Sequence, residues 1–178
     1  MGISSKWWEK VARRDRRLTE ALRAWSPPRV VHLWMVSSSR GGDGWLWGLL
    51  GAGVLWAGGE RRYQVLLTTA VAVVVAIAIF SLIKRIAVRS RPCELFPFSS
   101  FQKIPPDRFS FPSGHSVTAF AVTVPLGLFY PSYMIWLMLC ATSVATSRVV
   151  LGMHFVSDVV AGSVMGAGIG YMAYSLVS

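Results

Sequence analysis

Two histidines, three cations and one carboxylate stand out in this chain because so little around them is charged. From residue 115 to residue 178 the charged residues are Arg148 and Asp158, and the histidines are His115 and His154. Lys84 and Arg91 lie upstream. These residue types suit phosphate chemistry. Lys84, Arg91 and Arg148 can hold a phosphate dianion and stabilise charge on its equatorial oxygens in a transition state. Pro112-Ser113-Gly114-His115 reads as a helix start, with Ser113 as N-cap and backbone amides that favour an anion. Two imidazoles can divide the work, one attacking phosphorus and one protonating the leaving alkoxide. Asp158 lies four residues after His154, hence on the same helix face. It can accept Nδ1–H of His154 and leave Nε2 to attack.

Each feature alone has an ordinary reading. Lys84, Arg85, Arg89 and Arg91 would be a basic flank at a helix end. Arg148 would snorkel to headgroups, and Ser113-Gly114 would be a plain cap. A histidine–carboxylate pair can also belong to a metal site, but no third ligand presents itself, since Cys140 sits within an apolar run. His32 reads as structural or interfacial. Cys93 and Cys140 read as two unpaired thiols. The case for chemistry rests on all of these residues meeting in one place, which depends on the elements that carry them.

Those elements read as membrane helices. Apolar residues make up 53% of the 178-residue chain and charged residues 15%, against about 25% charged in an ordinary soluble domain. Residues 63–83, 116–147 and 159–178 carry no charge, and about 20 such residues cross a bilayer as a helix. The first thirty residues are charged throughout and do not read as a cleaved leader. Over 3–25, Trp7, Val11, Leu18, Leu22 and Trp25 share one helix face, with Lys10, Arg13, Arg14, Arg16, Arg17 and Arg23 around much of the rest. Tryptophan with arginine at this spacing suits the headgroup layer; packing on the rest of the protein is the plainer alternative. Ser26-Pro27-Pro28 ends the helix.

Residues 29–43 read as a short interfacial segment, because Ser37-Ser38-Ser39-Arg40-Gly41-Gly42 interrupts the apolar pattern. Spans are expected at 44–59, 63–84, 113–130, 132–150 and 154–177, with Tyr130-Pro131-Ser132 dividing the long uncharged run; the glycine-rich 44–59 is a short span or a re-entrant piece. The prolines at 92, 97, 105, 106 and 112 forbid a continuous helix over 92–112. That stretch carries Phe96, Phe98, Phe101, Phe109 and Phe111, which can dip into the membrane or cover a pocket. The expectation is an all-α membrane bundle of about five spans, residues 29–178, preceded by an amphipathic interfacial helix, residues 1–28. Successive spans reverse direction, so Lys84, Arg91, His115, Arg148, His154 and Asp158 all fall at one side of the membrane.

Three motifs then come into register. Lys84, six residues and Arg91-Pro92 form the first; Pro112-Ser113-Gly114-His115 the second; Ser147-Arg148, five residues, His154, three residues and Asp158 the third. Together they resemble the signature of the type 2 phosphatidic acid phosphatase superfamily, the lipid phosphate phosphatases. The resemblance covers 84–158 by motif, and the hydrophobic layout extends it to about 30–178. It implies that Lys84, Arg91 and Arg148 hold phosphate with Ser113 and the Gly114 amide, and that Ser147 supports them. By the same resemblance His154 forms a phosphohistidine, Asp158 orients it, and His115 protonates the leaving group and then activates water. No metal or other cofactor is required.

The implied activity is dephosphorylation of a lipid phosphate or diphosphate: phosphatidate, phosphatidylglycerophosphate or a polyprenyl diphosphate. A lipid phosphotransferase, or a non-enzymatic lipid-binding membrane protein, would share the spans. Vanadium-dependent haloperoxidases of the same superfamily share the anion site, but they are soluble. The net charge of +10 would suggest nucleic acid in a soluble protein; beside apolar spans, the partner is an anionic membrane surface and not nucleic acid. Five spans put 16 Lys/Arg on the active side and two, Arg61 and Arg62, on the other. The excess of basic residues predicts a cytoplasmic active face in a bacterial plasma membrane; without a span at 44–59 the two sides carry 11 and 7 and the active face moves outside.

Overall fold

In hydrocarbon every backbone N–H and C=O must be satisfied within the protein, which favours helices over any open structure. The computed structural model describes residues 6–95 and 109–178, and among these it contains helices and turns but no strand. The helices are α1 (Lys6–Ala24), α2 (Arg29–Gly41), α3 (Trp45–Ala57), α4 (Arg62–Ala87), α5 (Pro92–Leu95), α6 (Gly114–Phe129), α7 (Met134–Val150) and α8 (Val156–Ser175). A 3₁₀ turn, Pro131–Tyr133, leads into α7. Phe96, Phe98 and Phe101 lie outside the described residues, as do the side chains of Trp7 and Arg23.

Helix α6 is the hub, packed by α4, α7 and α8. One buried cluster joins Ala72 and Ala76 of α4 to Val117 and Ala121 of α6 and Ile169 of α8. Lipid tails are as apolar as leucine, so close approach rather than water exclusion must hold such helices together. Glycines make that approach possible. A Cβ on Gly162 would stand 2.7 Å from the Ser113 carbonyl, one on Gly166 would strike the Val117 carbonyl, and one on Gly170 would meet Pro125 Cδ at 2.8 Å. Three glycines spaced by four thus lay α8 directly on α6.

Hydrogen bonds between helix ends fix the topology. Ser113 N–H donates to the Asp158 carbonyl (3.1 Å), so α6 and α8 start side by side. Gln64 Nε2 donates to the Val177 carbonyl (2.8 Å), which sets α4 antiparallel to α8. Tyr130 Oη donates to the Gly58 carbonyl (2.9 Å), so α3 and α6 end together. The outward faces are apolar: Leu67, Val74, Ile135, Trp136, Val160 and Val164 are all exposed. Water would not tolerate so much exposed apolar surface; a bilayer does.

Three helical stretches, Arg62–Leu95, Pro131–Val150 and Val156–Ser175, are long and apolar enough to cross a membrane, and the protein is an integral membrane protein. The expected spans at 44–59 and 113–130 correspond to α3 and α6, of 13 and 16 residues. At ~1.5 Å per residue each is shorter than a full crossing. Helix α6 is largely enclosed by its neighbours.

The expected interfacial segment at 29–43 is instead a regular helix, α2, which packs on α7. Its serines read as a loop signal because their partners lie more than a hundred residues away. Ser38 Oγ lies 2.8 Å from Ser143 Oγ, and Trp34 Nε1 donates to Ser143 Oγ at 2.7 Å. Arg148 Nη1 donates to Ser39 Oγ. The chain then reverses through Gly42–Gly44 into α3. Gly44 has φ +121°, a conformation that glycine adopts without the steric penalty of a side chain.

Candidate active site

Each candidate residue sits where a helix begins or ends at one end of the bundle. Lys84 is in the last turn of α4, with Nζ 5.7 Å from the centre of the Phe80 ring. Arg91 follows in the linker to α5 and is 2% exposed. Its Nη1 donates to the Met153 carbonyl (2.8 Å) and to His154 Nε2 (3.1 Å). Its Nη2 donates to the Phe109 carbonyl (3.2 Å). Arg148 closes α7, and its carbonyl accepts N–H from both Met153 and His154 at 3.0 Å. Gly152, at φ +68°, allows the tight loop that these bonds require.

That loop carries His154, which therefore precedes α8 rather than beginning it, and Phe155 is the N-cap. The expected one-face spacing of His154 and Asp158 does not apply, since His154 is outside the helix. The two still meet across the helix start: Nδ1 lies 3.6 Å from Asp158 Oδ2, an ion-pair distance and longer than a hydrogen bond. Asp158 Oδ2 instead accepts Phe155 N–H at 2.9 Å. The protonation pattern of His154 follows from its neighbours. Arginine only donates, so Nε2 must present its lone pair to Arg91, and the ring proton sits on Nδ1, facing Asp158. Burial pushes His154 down to about 4; Asp158 opposes the shift, while Arg91 and Arg148 reinforce it. The imidazole is therefore neutral at pH 7.

His115 occupies the first turn of α6. Ser113 takes the N-cap position without a side-chain bond to the helix amides, and its Oγ accepts from Ser116 Oγ at 3.0 Å. Gly114 faces Phe80, whose ring a Cβ would meet at 3.3 Å. His115 Nε2–H donates to Asp43 Oδ1 at 2.9 Å. Arg148 lies within electrostatic range of both imidazoles, Lys84 of His115, and Arg91 of His154. The bundle thus brings together all of the expected residues: Lys84, Arg91, Ser113, Gly114, His115, Arg148, His154 and Asp158. Ser147 is buried beneath them and donates to the Val144 carbonyl at 2.6 Å.

Sequence reasoning missed four polar side chains here. Asp43, in the α2–α3 turn, holds His115. Ser39 holds Arg148. Arg89, taken as a basic flank, donates to Asp158 Oδ1 at 2.5 Å and to Asp15 Oδ2 at 2.7 Å. Asp15 of α1 is buried. A signal existed for two of them: Asp43 is the one charged residue between 41 and 59, and Asp15 interrupts the basic run Arg13-Arg14-Arg16-Arg17.

An all-helical membrane bundle with two histidines and three cations gathered at one end is the architecture of a PAP2-type protein. The family model for the PAP2 superfamily matches residues 65–178, and the chain belongs to that superfamily. It is 36% identical over 91 residues to the lipid A 1-phosphatase of Rhizobium johnstonii, covering 49% of this chain and 37% of that protein. The chain thus spans well under half the length of that relative. It is 34% identical over 138 residues to the decaprenylphosphoryl-5-phosphoribose phosphatase of Mycobacterium tuberculosis, covering 75% of this chain and 71% of that protein. Its fold is similar to the crystal structure of a transmembrane PAP2-type phosphatidylglycerolphosphate phosphatase from Bacillus subtilis. There the TM-score is 0.71 at 24% identity, over 98% of this chain and 88% of that one.

Proposed function

We infer that this protein is a metal-independent phosphatase that removes phosphate from a membrane lipid through a phosphohistidine. One observation carries the reading: a buried, neutral imidazole, His154, presents its Nε2 lone pair to Arg91, with Arg148 in electrostatic range of both histidines and Lys84 in range of His115. A phosphate drawn to Arg91, Arg148 and Lys84 meets that lone pair, with the Ser113 hydroxyl and the first-turn amide of Gly114 beside it. Nε2 attacks phosphorus, the bond to the lipid oxygen breaks, and His115 gives that oxygen its proton. Asp158 stabilises the positive charge on the His154 ring, with Nδ1–H directed at its carboxylate. Water then attacks the phosphohistidine and loses its proton to His115. The phosphate leaves, and both imidazoles return to their starting states.

The substrate class is a lipid phosphate or diphosphate, such as phosphatidate, phosphatidylglycerophosphate or a polyprenyl diphosphate. The phosphatase names of the matched relatives support that class. For the membrane side, the basic helix α1 contacts the start of α8 through Asp15 and Ser157 (3.1 Å), which supports its sharing the active face. The 16-to-2 distribution of Lys/Arg then favours the cytoplasmic face of a bacterial plasma membrane. The test is phosphate release from each lipid by detergent-solubilised protein at matched dilution, with EDTA present. Release from at least one lipid is expected, falling at least about 10³-fold in His154→Ala. Release that persists in His154→Ala, or stops with EDTA, overturns the mechanism.

A further inference from the structure

Helix α8 begins with a deficit. Its N-cap is Phe155, which has no side-chain oxygen to accept the first-turn amides. The acceptor comes from a distant part of the chain. Asp15 Oδ1 accepts Ser157 N–H at 3.1 Å, and Asp15 Oδ2 accepts the Ser157 hydroxyl at 2.5 Å, across 142 residues of sequence. Arg89 completes the arrangement. Its guanidinium lies 4.4 Å from the centre of the Phe155 ring. Nη2 donates to Asp15 Oδ2 at 2.7 Å, while Nη1 donates to Ser157 Oγ at 2.7 Å and to Asp158 Oδ1 at 2.5 Å.

One guanidinium therefore joins two carboxylates, from α1 and α8, whose side chains are 5% and 0% exposed. Such burial is disproportionate for a membrane anchor. An amphipathic helix binds headgroups through exposed arginines, and Arg13, Arg14, Arg16 and Arg17 are exposed. Docking α1 on α8 needs no charge at all, since an apolar contact avoids desolvating an ion pair. What the buried charges contribute is position. They end on Asp158, whose remaining oxygen faces His154 Nδ1 at 3.6 Å.

We propose that Asp15 of α1 and Arg89 are positioning residues for the reaction: they fix Asp158, and through it the ring of His154, making the N-terminal helix a working part of the active site. The proposal rests on His154 being the nucleophile. Because Asp158 acts on the ring rather than on the lipid, loss of the network lowers kcat and leaves KM nearly unchanged.

The test compares wild type with Asp15→Ala, Asp15→Glu, Arg89→Lys and Arg89→Gln in detergent, each checked for a monodisperse fold. Dispersed dioctanoyl phosphatidate is the substrate, so membrane attachment by α1 does not limit access. Asp15→Ala and Arg89→Gln are expected to lower kcat about 10- to 100-fold, the scale of a misplaced reacting group, with KM within about 3-fold. A protein carrying both Asp15→Ala and Arg89→Gln should be no worse than the weaker of the two single variants, because both residues act through one network. Arg89→Lys keeps the charge but not the fork, and should lose kcat similarly. Asp15→Glu should recover part of it. Arg13→Ala and Arg17→Ala, outside the network, should match wild type.

A second readout does not depend on turnover. In protein labelled with ¹⁵N-histidine, the His154 ring signals, identified by their absence in His154→Ala, should shift in Asp15→Ala, while those of His32 stay in place. Unchanged kcat, a loss confined to KM, or unmoved His154 signals overturns the proposal. If wild type releases no phosphate, the reading of function fails while the ring signals still decide whether Asp15 positions His154.

Discussion

His154 should make this protein acid-sensitive by a measurable amount. The ring lies in the short loop between α7 and α8, 2% exposed, with Arg91 against Nε2 and Arg148 nearby. Burial lowers its pKa from the ordinary 6.5 to about 4. Between those values the unfolded chain carries a proton on this side chain and the folded protein does not. Stability must therefore fall as pH drops from about 6.5 to about 4, and level off below that. At ~1.4 kcal/mol per pH unit the loss is about 3 kcal/mol, a large share of the 5–15 kcal/mol that typically separates folded from unfolded states. Equilibrium unfolding in mixed micelles between pH 7 and pH 4 measures it. The companion variant is His154→Asn, which removes the titrating group and keeps a polar side chain beside Arg91. Carboxylates such as Asp15, Asp43 and Asp158 are common to both proteins. Wild type should lose about 3 kcal/mol more than the variant across this range. Parallel curves would show that His154 ionises normally and would refute the buried-neutral assignment. The same ionisation sets the acid limb of kcat/KM, expected near pH 4 rather than near 6.5.

Arg91→Lys should lower kcat/KM about 10²-fold or more, because one ammonium cannot reproduce the fork that serves the Met153 carbonyl and His154 Nε2; steady-state assays with a dispersed lipid phosphate would check it. Asp43→Ala should reduce kcat about 5-fold, equivalent to about 1 kcal/mol for a pair this exposed, with the loss shrinking at high salt; equal rates at all ionic strengths would deny the His115 contact a role. Gly166→Ala drives a Cβ into the Val117 carbonyl, so it should destabilise the fold by about 1–3 kcal/mol. Gly168→Ala, on the same helix with open space around it, is the control and should not lower the melting temperature, since alanine favours a helix interior over glycine.

What could be read from the sequence was whatever the bilayer imposes locally. Uncharged runs of span length must be helices, and a chain that reverses at each turn puts alternate termini together. That is why Lys84, His115, Arg148, His154 and Asp158 could be placed at one end without any contact being known. Contacts that join distant segments left weaker marks. Ser37-Ser38-Ser39 has loop composition, yet α2 runs helical through it, with Ser38 hydrogen-bonded to Ser143 and Ser39 accepting from Arg148 of α7. Asp15 sits in a run of arginines suited to headgroups, yet its carboxylate turns inward to cap α8 and meet Arg89. The same physics underlies both cases: a polar side chain near lipid must be satisfied, and sequence shows the need without showing the partner. An unexplained acid in a basic amphipathic helix is therefore a prompt to look for a partly buried cation. Here that cation is Arg89, and the network it anchors ends at the carboxylate facing His154.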